Sequence, residues 1–334
     1  MNLTGSIFSN RSLPRRGVVP EQALTVPPSR PAATPSAMSQ PISGRTALAG
    51  VLGDPVRHSL SPAMHNAALA ELGLDWVYLA LPTPAAELEV VVRALETLDC
   101  RGLSVTIPHK QAVARLCRAL SPLAQRVGAV NTLVRHPEGG WLGDNTDVEG
   151  FLAPLRANGS SWQGRQAVVL GCGGSARAVV AALVELGCGT IHIAGRNAAN
   201  LEALLAPCRD WAPQLQGLAW QPASPALRDA LASADLVVNT TPVGMAAAGN
   251  PEAARQCPLG PEELEVLRSG STVYDLIYTP RPTALLAAAS TQGCRTVDGL
   301  EMLVQQGAAA LRQWSGHGEV PVAAMRAAAL AQLG

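Results

Sequence analysis

Lysine is almost absent from this sequence. Of its 25 basic residues, 24 are arginine and one, Lys110, is lysine. Arginine stays protonated in proteins, whereas lysine is compact and its pKa responds to its surroundings. A single lysine in a chain that otherwise uses arginine marks Lys110 as a candidate for chemistry that a guanidinium cannot perform.

Other absences exclude whole classes of protein. The 25 basic residues are balanced by 25 acidic ones, which argues against a dedicated nucleic-acid-binding protein. No apolar run reaches the roughly 18 residues of a membrane span. The seven cysteines contain no CxxC pair, which excludes a zinc finger or a disulfide scaffold and favours a reducing compartment, the cytoplasm. Without HxH, HExxH or a Cys/His cluster, we expect no metal.

The length of 334 residues is enough for two domains of about 150 residues each. Residues 1–44 are rich in Ser, Pro and Arg, contain Glu21 as their only acid and show no periodicity, so we predict this extension to be disordered. Two interpretations of it stand. It is a transit peptide for an organelle such as a plastid, or the start codon is placed too early and translation begins at Met38.

From Thr46 onwards, apolar strands alternate with helices, the pattern of parallel βαβ units. In the first half we predict strands at 46–53, 76–82 and 102–108, helices at 63–73, 87–98 and 109–120, and a hairpin around 138–140. In the second half we predict a strand, turn and helix at 166–187, strands within 190–197, 234–245 and 270–280, and helices at 301–314 and 321–333. The chain is therefore an α/β protein.

A glycine-rich turn at 171–176 follows an apolar strand and opens a helix. Small residues there let the backbone approach a pyrophosphate, and the helix N-terminus supplies free N–H groups and partial positive charge. The next strand ends at Arg196, where an NAD enzyme usually carries an acid for the ribose hydroxyls. An arginine suits the 2′-phosphate of NADP.

Polar side chains concentrate at strand ends in the first half. Ser59 and Ser61 precede a helix, where they can cap it or hold a carboxylate. Residues 104–110 place Ser104, Thr106 and Lys110 at the end of a strand, the edge at which ligands gather in open α/β sheets. With Asn131 and the run 143–147, these residues predict a pocket for a small polyhydroxylated acid.

Eight motifs follow one another in a recognisable order. They are SLSPAMHN (59–66), SVTIPHK (104–110), GAVNT (128–132), GDNTD (143–147), GCGGSAR (171–177), NTTPVGM (239–245), YDLIY (274–278) and DGLEMLVQQ (298–306). Over about residues 46–334 the chain resembles the shikimate dehydrogenase family.

The resemblance implies reversible reduction of 3-dehydroshikimate to shikimate with NADPH, in the pathway through chorismate to the aromatic amino acids, by direct hydride transfer without a metal. It also implies two domains with the active site in the cleft between them. An open, mostly parallel α/β substrate domain would span 45–147, completed by 299–334. A Rossmann-like NADP-binding domain would span 148–298.

Residue roles follow from the resemblance at the matching positions. Lys110 and Asp147 would form the catalytic pair, and which of them moves the proton stays open. The substrate residues would be Ser59, Ser61 and Tyr278 at the carboxylate, with Thr106, Asn131 and Gln306 (favoured over Gln305) at the ring hydroxyls. The cofactor residues would be Gly171, Gly173, Gly174 and Ser175 at the pyrophosphate, Arg196 at the 2′-phosphate, and Thr240 to Val243 with Gly299 at the nicotinamide.

Two departures from the family pattern keep alternatives open. Ser104 stands where many members have Asn, so a quinate/shikimate dehydrogenase of broader substrate range is the alternative function. Asn200 stands where NADP-preferring members often have a second Arg, which leaves NAD as an alternative cofactor. A catalytically silent paralogue is a third hypothesis, and the intact Lys110 and Asp147 argue against it. We expect a monomer or a homodimer without a nucleic-acid or membrane partner.

Overall fold

The computed structural model describes residues 41–157, 159–221, 224–246 and 250–333. Residues 1–40 of the extension that we predict to be disordered lie outside this described part. Residues 41–44 precede the first strand and belong to no helix or strand.

The first half of the chain forms a six-stranded sheet. Its strands are β1 (Ala47–Gly53), β2 (Trp76–Pro82), β3 (Gly102–Val105), β4 (Ala119–Leu120), β5 (Thr132–Arg135) and β6 (Trp141–Asp144). Their order is β2-β1-β3-β5-β6-β4. β1 pairs in parallel with β2 and β3, while β5 pairs antiparallel with β3 and β6. The β5–β6 hairpin is the one predicted around 138–140, and Gly139 and Gly140 supply its positive φ angles.

Four helices accompany this sheet or follow it directly. They are α1 (Ser61–Glu71), α2 (Leu88–Thr97), α3 (Pro122–Val127) and α4 (Asp147–Ala157). The helix predicted at 109–120 is wrong. That segment holds one 3-10 turn, Val113–Leu116, and the short strand β4, because much of its backbone bonds to neighbouring elements. The N–H of Val130 donates to the carbonyl of Lys110 over 2.7 Å, and the N–H of Arg118 donates to Trp141 over 2.9 Å.

The second half forms a six-stranded, wholly parallel sheet. Its strands are β7 (Gln166–Leu170), β8 (Thr190–Gly195), β9 (Leu215–Ala219), β10 (Leu236–Asn239), β11 (Thr272–Asp275) and β12 (Arg295–Val297), in the order β12-β11-β10-β7-β8-β9. Its helices are α5 (Gly174–Glu185), α6 (Ala198–Leu205), α7 (Pro225–Ser233), α8 (Pro261–Glu265) and α9 (Ala284–Thr291). The strand order reverses between β7 and β10, which opens a ligand crevice at their carboxyl ends.

The C-terminal helices return to the first sheet. They are α10 (Leu300–Ser315), which packs along α4, and α11 (Val322–Leu333), which packs against α1. Trp314 of α10 donates its indole N–H to the carbonyl of Leu133 in β5 over 3.0 Å. A Cβ on Gly102 of β3 would lie 2.2 Å from the Trp314 ring, so this close approach requires glycine. Buried apolar clusters cover both faces of each sheet, giving the two-sheet α/β fold expected from the sequence.

Within the described ranges, no helix combines the length and the apolar character that a membrane span requires.

His65 lies inside a sequence motif but belongs to the core. Its ring stacks on Tyr78 with centroids 4.1 Å apart, and it donates from Nδ1 to the carbonyl of Ser61 over 2.9 Å. Burial lowers the pKa of His65 from 6.5 to about 4. The imidazole is therefore kept neutral, which explains its position without a catalytic role.

The lowered pKa of His65 makes the stability of the fold depend on pH. As pH falls from 6.5 towards 4, the unfolded chain binds a proton that the folded chain does not, so the free energy of unfolding decreases. By pH 5 this loss is about 2 kcal/mol. His65→Asn has no group that titrates in this range. Its free energy of unfolding should therefore lie below that of the parent at pH 7.5, by a deficit that shrinks at pH 5. Urea unfolding at both pH values measures this, and equal deficits would contradict it.

Candidate active site

Two cavities meet at the carboxyl ends of the strands. The larger of these two, called the larger cavity below, has a volume of about 420 Å³ and lies over the β7–β10 crevice. The smaller, about 280 Å³, lies over the ends of β1 and β3. Ile107, Lys110 and Ser175 line both cavities. The lone lysine of the chain therefore stands on the boundary between two ligand-sized spaces.

Lys110 forms a buried ion pair at this boundary. Its Nζ donates to Oδ2 of Asp147 over 2.5 Å, and the side chains are 12% and 6% exposed. Asp147 is the first residue of α4, where the helix N-terminus favours a negative charge. Its second oxygen, Oδ1, accepts from Nδ2 of Asn131 over 2.8 Å. With both oxygens engaged, the carboxylate is fixed in orientation and in turn orients the ammonium group.

The smaller cavity contains every residue that the sequence assigned to the substrate. They are Ser59, Ser61, Thr106, Lys110, Asn131, Asp147, Tyr278 and Gln306. Gln306 comes within 3.4 Å of the Asn131 amide, whereas Gln305 turns away and donates to Glu301. Hydroxyls, amides and one ammonium thus face a single space, a donor set suited to an acid that carries several hydroxyls.

Ser61 does not cap α1, although its position suggested a cap. It is the first residue of that helix, and the cap position belongs to Leu60, which makes no side-chain bond. The N–H of Ser61 donates instead to Oγ of Ser59 over 3.2 Å. Both serines therefore line the cavity beside a helix N-terminus, a favourable place for a carboxylate.

Ser104 also lines the smaller cavity. Its Oγ is buried beside the buried hydroxyl of Tyr78 and makes no hydrogen bond of good geometry with a residue that the structure describes. Buried hydroxyls in native proteins are normally bonded. A ligand hydroxyl in the cavity would complete the hydrogen bonding of Ser104.

The larger cavity contains the glycine-rich turn. Gly171, Gly173, Gly174, Ser175, Arg196 and Thr240 line it. Gly173 is the N-cap of α5 and offers no side-chain cap, which leaves the first N–H groups of the helix for a ligand. Arg196 forms no ion pair with a described residue and is exposed. Free amides beside an unpaired guanidinium fit a pyrophosphate and a further phosphate, as NADP requires.

Two residues expected at the nicotinamide lie outside the larger cavity. Gly299 lines the smaller cavity, where a Cβ would come 2.0 Å from the carbonyl oxygen of Leu276. Val243 lines neither; it borders a third cavity of about 440 Å³. Trp220, which sequence reasoning missed, lines both the larger and the third cavity. It is an isolated aromatic residue after an edge strand and belongs to none of the sequence motifs.

A buried carboxylate connects the loops on the two sides of the site. Asp275, at the end of β11, accepts at Oδ1 from Asn239 over 3.0 Å and from the N–H of Ile277 over 3.1 Å, and at Oδ2 from Thr283 over 2.7 Å. Asn239 in turn accepts from Thr241. Burial outweighs these bonds and raises the pKa of Asp275 to about 6. Asp275 therefore holds the loop after β10 against the loop that carries Tyr278.

Substitutions at two glycines of the turn should have different effects, one on ligand binding and the other on folding. A Cβ on Gly173 would meet no heavy atom within 4 Å, so Gly173→Ala should fold normally yet raise the Kd for NADP⁺ about tenfold by blocking close phosphate approach. Gly171 has φ +106° and its Cβ would lie 2.8 Å from Thr240. Gly171→Ala should instead destabilise the fold by about 1–3 kcal/mol. Thermal unfolding and calorimetric binding distinguish these results; unchanged NADP⁺ binding by Gly173→Ala would contradict this assignment.

The fold and the two joined cavities define a dinucleotide-dependent oxidoreductase with a small polar substrate. Family models agree with this class: the shikimate dehydrogenase substrate-binding domain matches residues 51–133, and the shikimate 5′-dehydrogenase C-terminal domain matches residues 299–330. The chain is 48% identical over 299 residues to "Shikimate dehydrogenase (NADP(+))" of Nostoc sp. strain PCC 7120, covering 88% of this chain and 99% of the relative. The chain belongs to the shikimate dehydrogenase family.

Solved structures agree on the fold. Shikimate 5-dehydrogenase from Thermus thermophilus, in complex with NADP(H) and shikimate, matches with a TM-score of 0.74 and 36% identity, over 86% of this chain and 100% of that one. Quinate dehydrogenase from Corynebacterium glutamicum, in complex with NAD, matches with a TM-score of 0.75 and 31% identity, over 86% and 99%. The family's fold thus accommodates more than one substrate and cofactor.

Proposed function

We propose that this protein catalyses the reversible, NADPH-dependent reduction of 3-dehydroshikimate to shikimate in the route through chorismate to the aromatic amino acids. The observation that carries the proposal is the position of Lys110. It lines both cavities at once and is hydrogen-bonded to a buried carboxylate. A proton donor is therefore available where a cofactor in one cavity would face a ketone in the other.

The chemistry of the step follows from this pair. NADPH, when bound, supplies the hydride that adds to the ketone carbon. The ammonium of Lys110 stabilises the negative charge that develops on the ketone oxygen and delivers a proton to it. Asp147 holds the ammonium in place and accepts a hydrogen bond from a substrate hydroxyl. The reverse reaction uses the same groups, with Lys110 receiving the proton.

The remaining polar groups position the substrate. Ser59 and Ser61 hold its carboxylate, and Tyr278 closes over the same end. Ring hydroxyls bond to Thr106, Asn131 and Gln306. Several donors from different elements fix one orientation of the ring, and such fixed orientation supplies much of the rate of a bimolecular step.

The cofactor residues divide by the part of NADP they hold. Gly171, Gly173, Gly174 and Ser175 bind the pyrophosphate at the start of α5, and Arg196 binds the 2′-phosphate. Thr240 and Gly299 border the nicotinamide end, whereas Val243 lines neither ligand cavity. In this assignment residues 148–298 form the NADP domain, while residues 45–147 and 299–334 form the substrate domain.

Arg196→Ala should discriminate between the two nicotinamide cofactors. Loss of a charged bond to the 2′-phosphate is expected to raise the KM for NADP⁺ about 10- to 100-fold, and the KM for NAD⁺ by less than about threefold. Arg209→Ala serves as the matched control, since Arg209 pairs with Glu202 and lines neither cavity. Equal losses for both cofactors in the Arg196 variant would remove Arg196 from the 2′-phosphate site.

Isotope transfer tests the proposed reaction directly. The protein is incubated with 3-dehydroshikimate and NADPH deuterated at C4 of the nicotinamide, on the face from which hydride leaves, tested with each epimer in turn. One epimer should yield shikimate with a single deuterium on the new carbinol carbon, seen by mass spectrometry and NMR. Product without the label from both epimers would exclude direct hydride transfer.

We further infer that the enzyme acts in the cytoplasm, as a monomer or homodimer, without a nucleic-acid partner. The balanced charge supports the last point. Plastid import by the N-terminal extension is the alternative location. Light scattering on the purified chain measures the oligomeric state, and a mass above that of a dimer would contradict this inference.

A further inference from the structure

An arginine–tryptophan pair borders the larger cavity. The guanidinium carbon of Arg196 lies over the ring of Trp220, 5.9 Å from its centroid. Both residues line the larger cavity and the third cavity beside it. The ring face is therefore directed at the cation that the proposed function assigns to the 2′-phosphate, and the separation is that of a cation–π contact.

The backbone holds the two residues side by side. β8 and β9 pair in parallel, with Gly195 opposite Ala219, and the N–H of Trp220 donates to the carbonyl of Gly195 over 2.9 Å. The indole also packs against the apolar cluster under β7 and β10, so its ring has a fixed support. Trp220 is thereby a rigid platform next to the residue that follows Gly195.

Arg196 needs such a platform. It makes no ion pair or hydrogen bond with another described residue, and its side chain is exposed. A long free side chain loses considerable rotamer freedom when it binds a ligand, and this loss weakens binding. The neighbouring position on α6 that could have carried a second cation holds Asn200, which lines the same cavity without a charge. Arg196 alone therefore has to supply the positive charge at this site that two cationic side chains would otherwise share.

We propose that Trp220 is a positioning residue that determines cofactor preference: its indole face holds the Arg196 guanidinium ready for the 2′-phosphate and so favours NADP over NAD. The inference rests on the proposed role of Arg196. The ring acts through Arg196, so removing it should affect the cofactor that has the phosphate and spare the one that lacks it.

Calorimetric binding of NADP⁺ and NAD⁺, without substrate, tests the proposal. Trp220→Leu keeps an apolar side chain but removes the aromatic face. It should raise the Kd for NADP⁺ about three- to fivefold and the Kd for NAD⁺ less than about twofold. Trp220→Phe keeps a smaller aromatic face and should raise the Kd for NADP⁺ about twofold. If the leucine variant does not fold, the change in Kd for NADP⁺ relative to that for NAD⁺ in the phenylalanine variant tests the proposal instead.

A second arginine–tryptophan pair provides a matched control. Arg126 lies over Trp211 at 6.0 Å, away from both ligand cavities, so Trp211→Leu should leave the Kd of each cofactor unchanged. The double variant Arg196→Ala, Trp220→Leu should bind NADP⁺ no more weakly than Arg196→Ala alone, because the ring has no further effect once the guanidinium is gone.

Equal weakening of NADP⁺ and NAD⁺ by Trp220→Leu would overturn the proposal, since the ring would then contact a part common to both. Additive losses in the double variant would overturn it as well. If Arg196→Ala fails to discriminate between the cofactors, the proposed role of Arg196 fails together with this inference. If Arg196→Ala discriminates and the Trp220 variants do not, only the inference fails.

Discussion

Replacing Lys110 with alanine is expected to lower kcat about 10³-fold or more while leaving the fold intact. The substitution removes both the charge that stabilises the developing oxyanion and the proton donor, two effects that each contribute about 10²-fold or more. Initial rates of NADPH oxidation with 3-dehydroshikimate measure the loss. NADP⁺ binding, followed by calorimetry, should change little, because the proposed phosphate sites are at α5 and Arg196.

Lys110→Arg sharpens this experiment. Arginine keeps the positive charge but is larger and does not release its proton, so this variant should also lose at least about 10²-fold in kcat. Near-normal kcat for Lys110→Ala would show that the lone lysine has no part in the chemistry. If Lys110→Arg keeps a near-normal kcat while Lys110→Ala does not, Lys110 contributes its positive charge but not a proton.

The second large effect is expected for Asp147→Asn, at about 10²-fold in kcat. The ion pair with Lys110 would be lost, leaving a buried ammonium without its carboxylate, and the group that orients it would be gone. Asp144→Asn is the matched control. Asp144 belongs to the same segment but bonds Ser121 and Gln313 and lines neither cavity, so its kcat should stay within about threefold of the parent. Equal losses in the two variants would contradict a specific role for Asp147.

The site could be predicted where polar residues follow buried strands. Lys110 was notable as the only lysine, and the strand that precedes it, β3, is fully buried, so the end of the strand was identifiable. The same reasoning located the turn between β7 and α5. Gln306 was favoured over Gln305 by its spacing from Asp298 and Gly299 in the motif, and in the structure Gln306 lines the smaller cavity while Gln305 does not.

Other features depend on contacts that no local pattern encodes. The segment 109–120 reads as a helix, yet His109 bonds the distant carbonyl of Thr83 over 2.7 Å and the backbone of Lys110 bonds Val130. Tertiary hydrogen bonds there override helix propensity. The edge strands β9 and β12 are half exposed and so lack a continuous apolar run.

The pairing of Arg196 with Trp220 was invisible for a related reason. The two residues follow the ends of adjacent strands, β8 and β9, but lie far apart in sequence, and the intervening chain carries no marker of their contact. Sequence reasoning therefore proposed Arg196 for the 2′-phosphate and offered no sign of the ring beside it. The register of β8 with β9 supplies that information, and it is known only once the sheet is built.

The central claim is tested most directly by steady-state oxidation kinetics of the wild-type chain, with shikimate and quinate each set against NADP⁺ and NAD⁺. The structure-based expectation is a kcat/KM for shikimate with NADP⁺ at least about tenfold above the other three combinations. Highest turnover with quinate and NAD⁺, or no turnover with any combination, would contradict it.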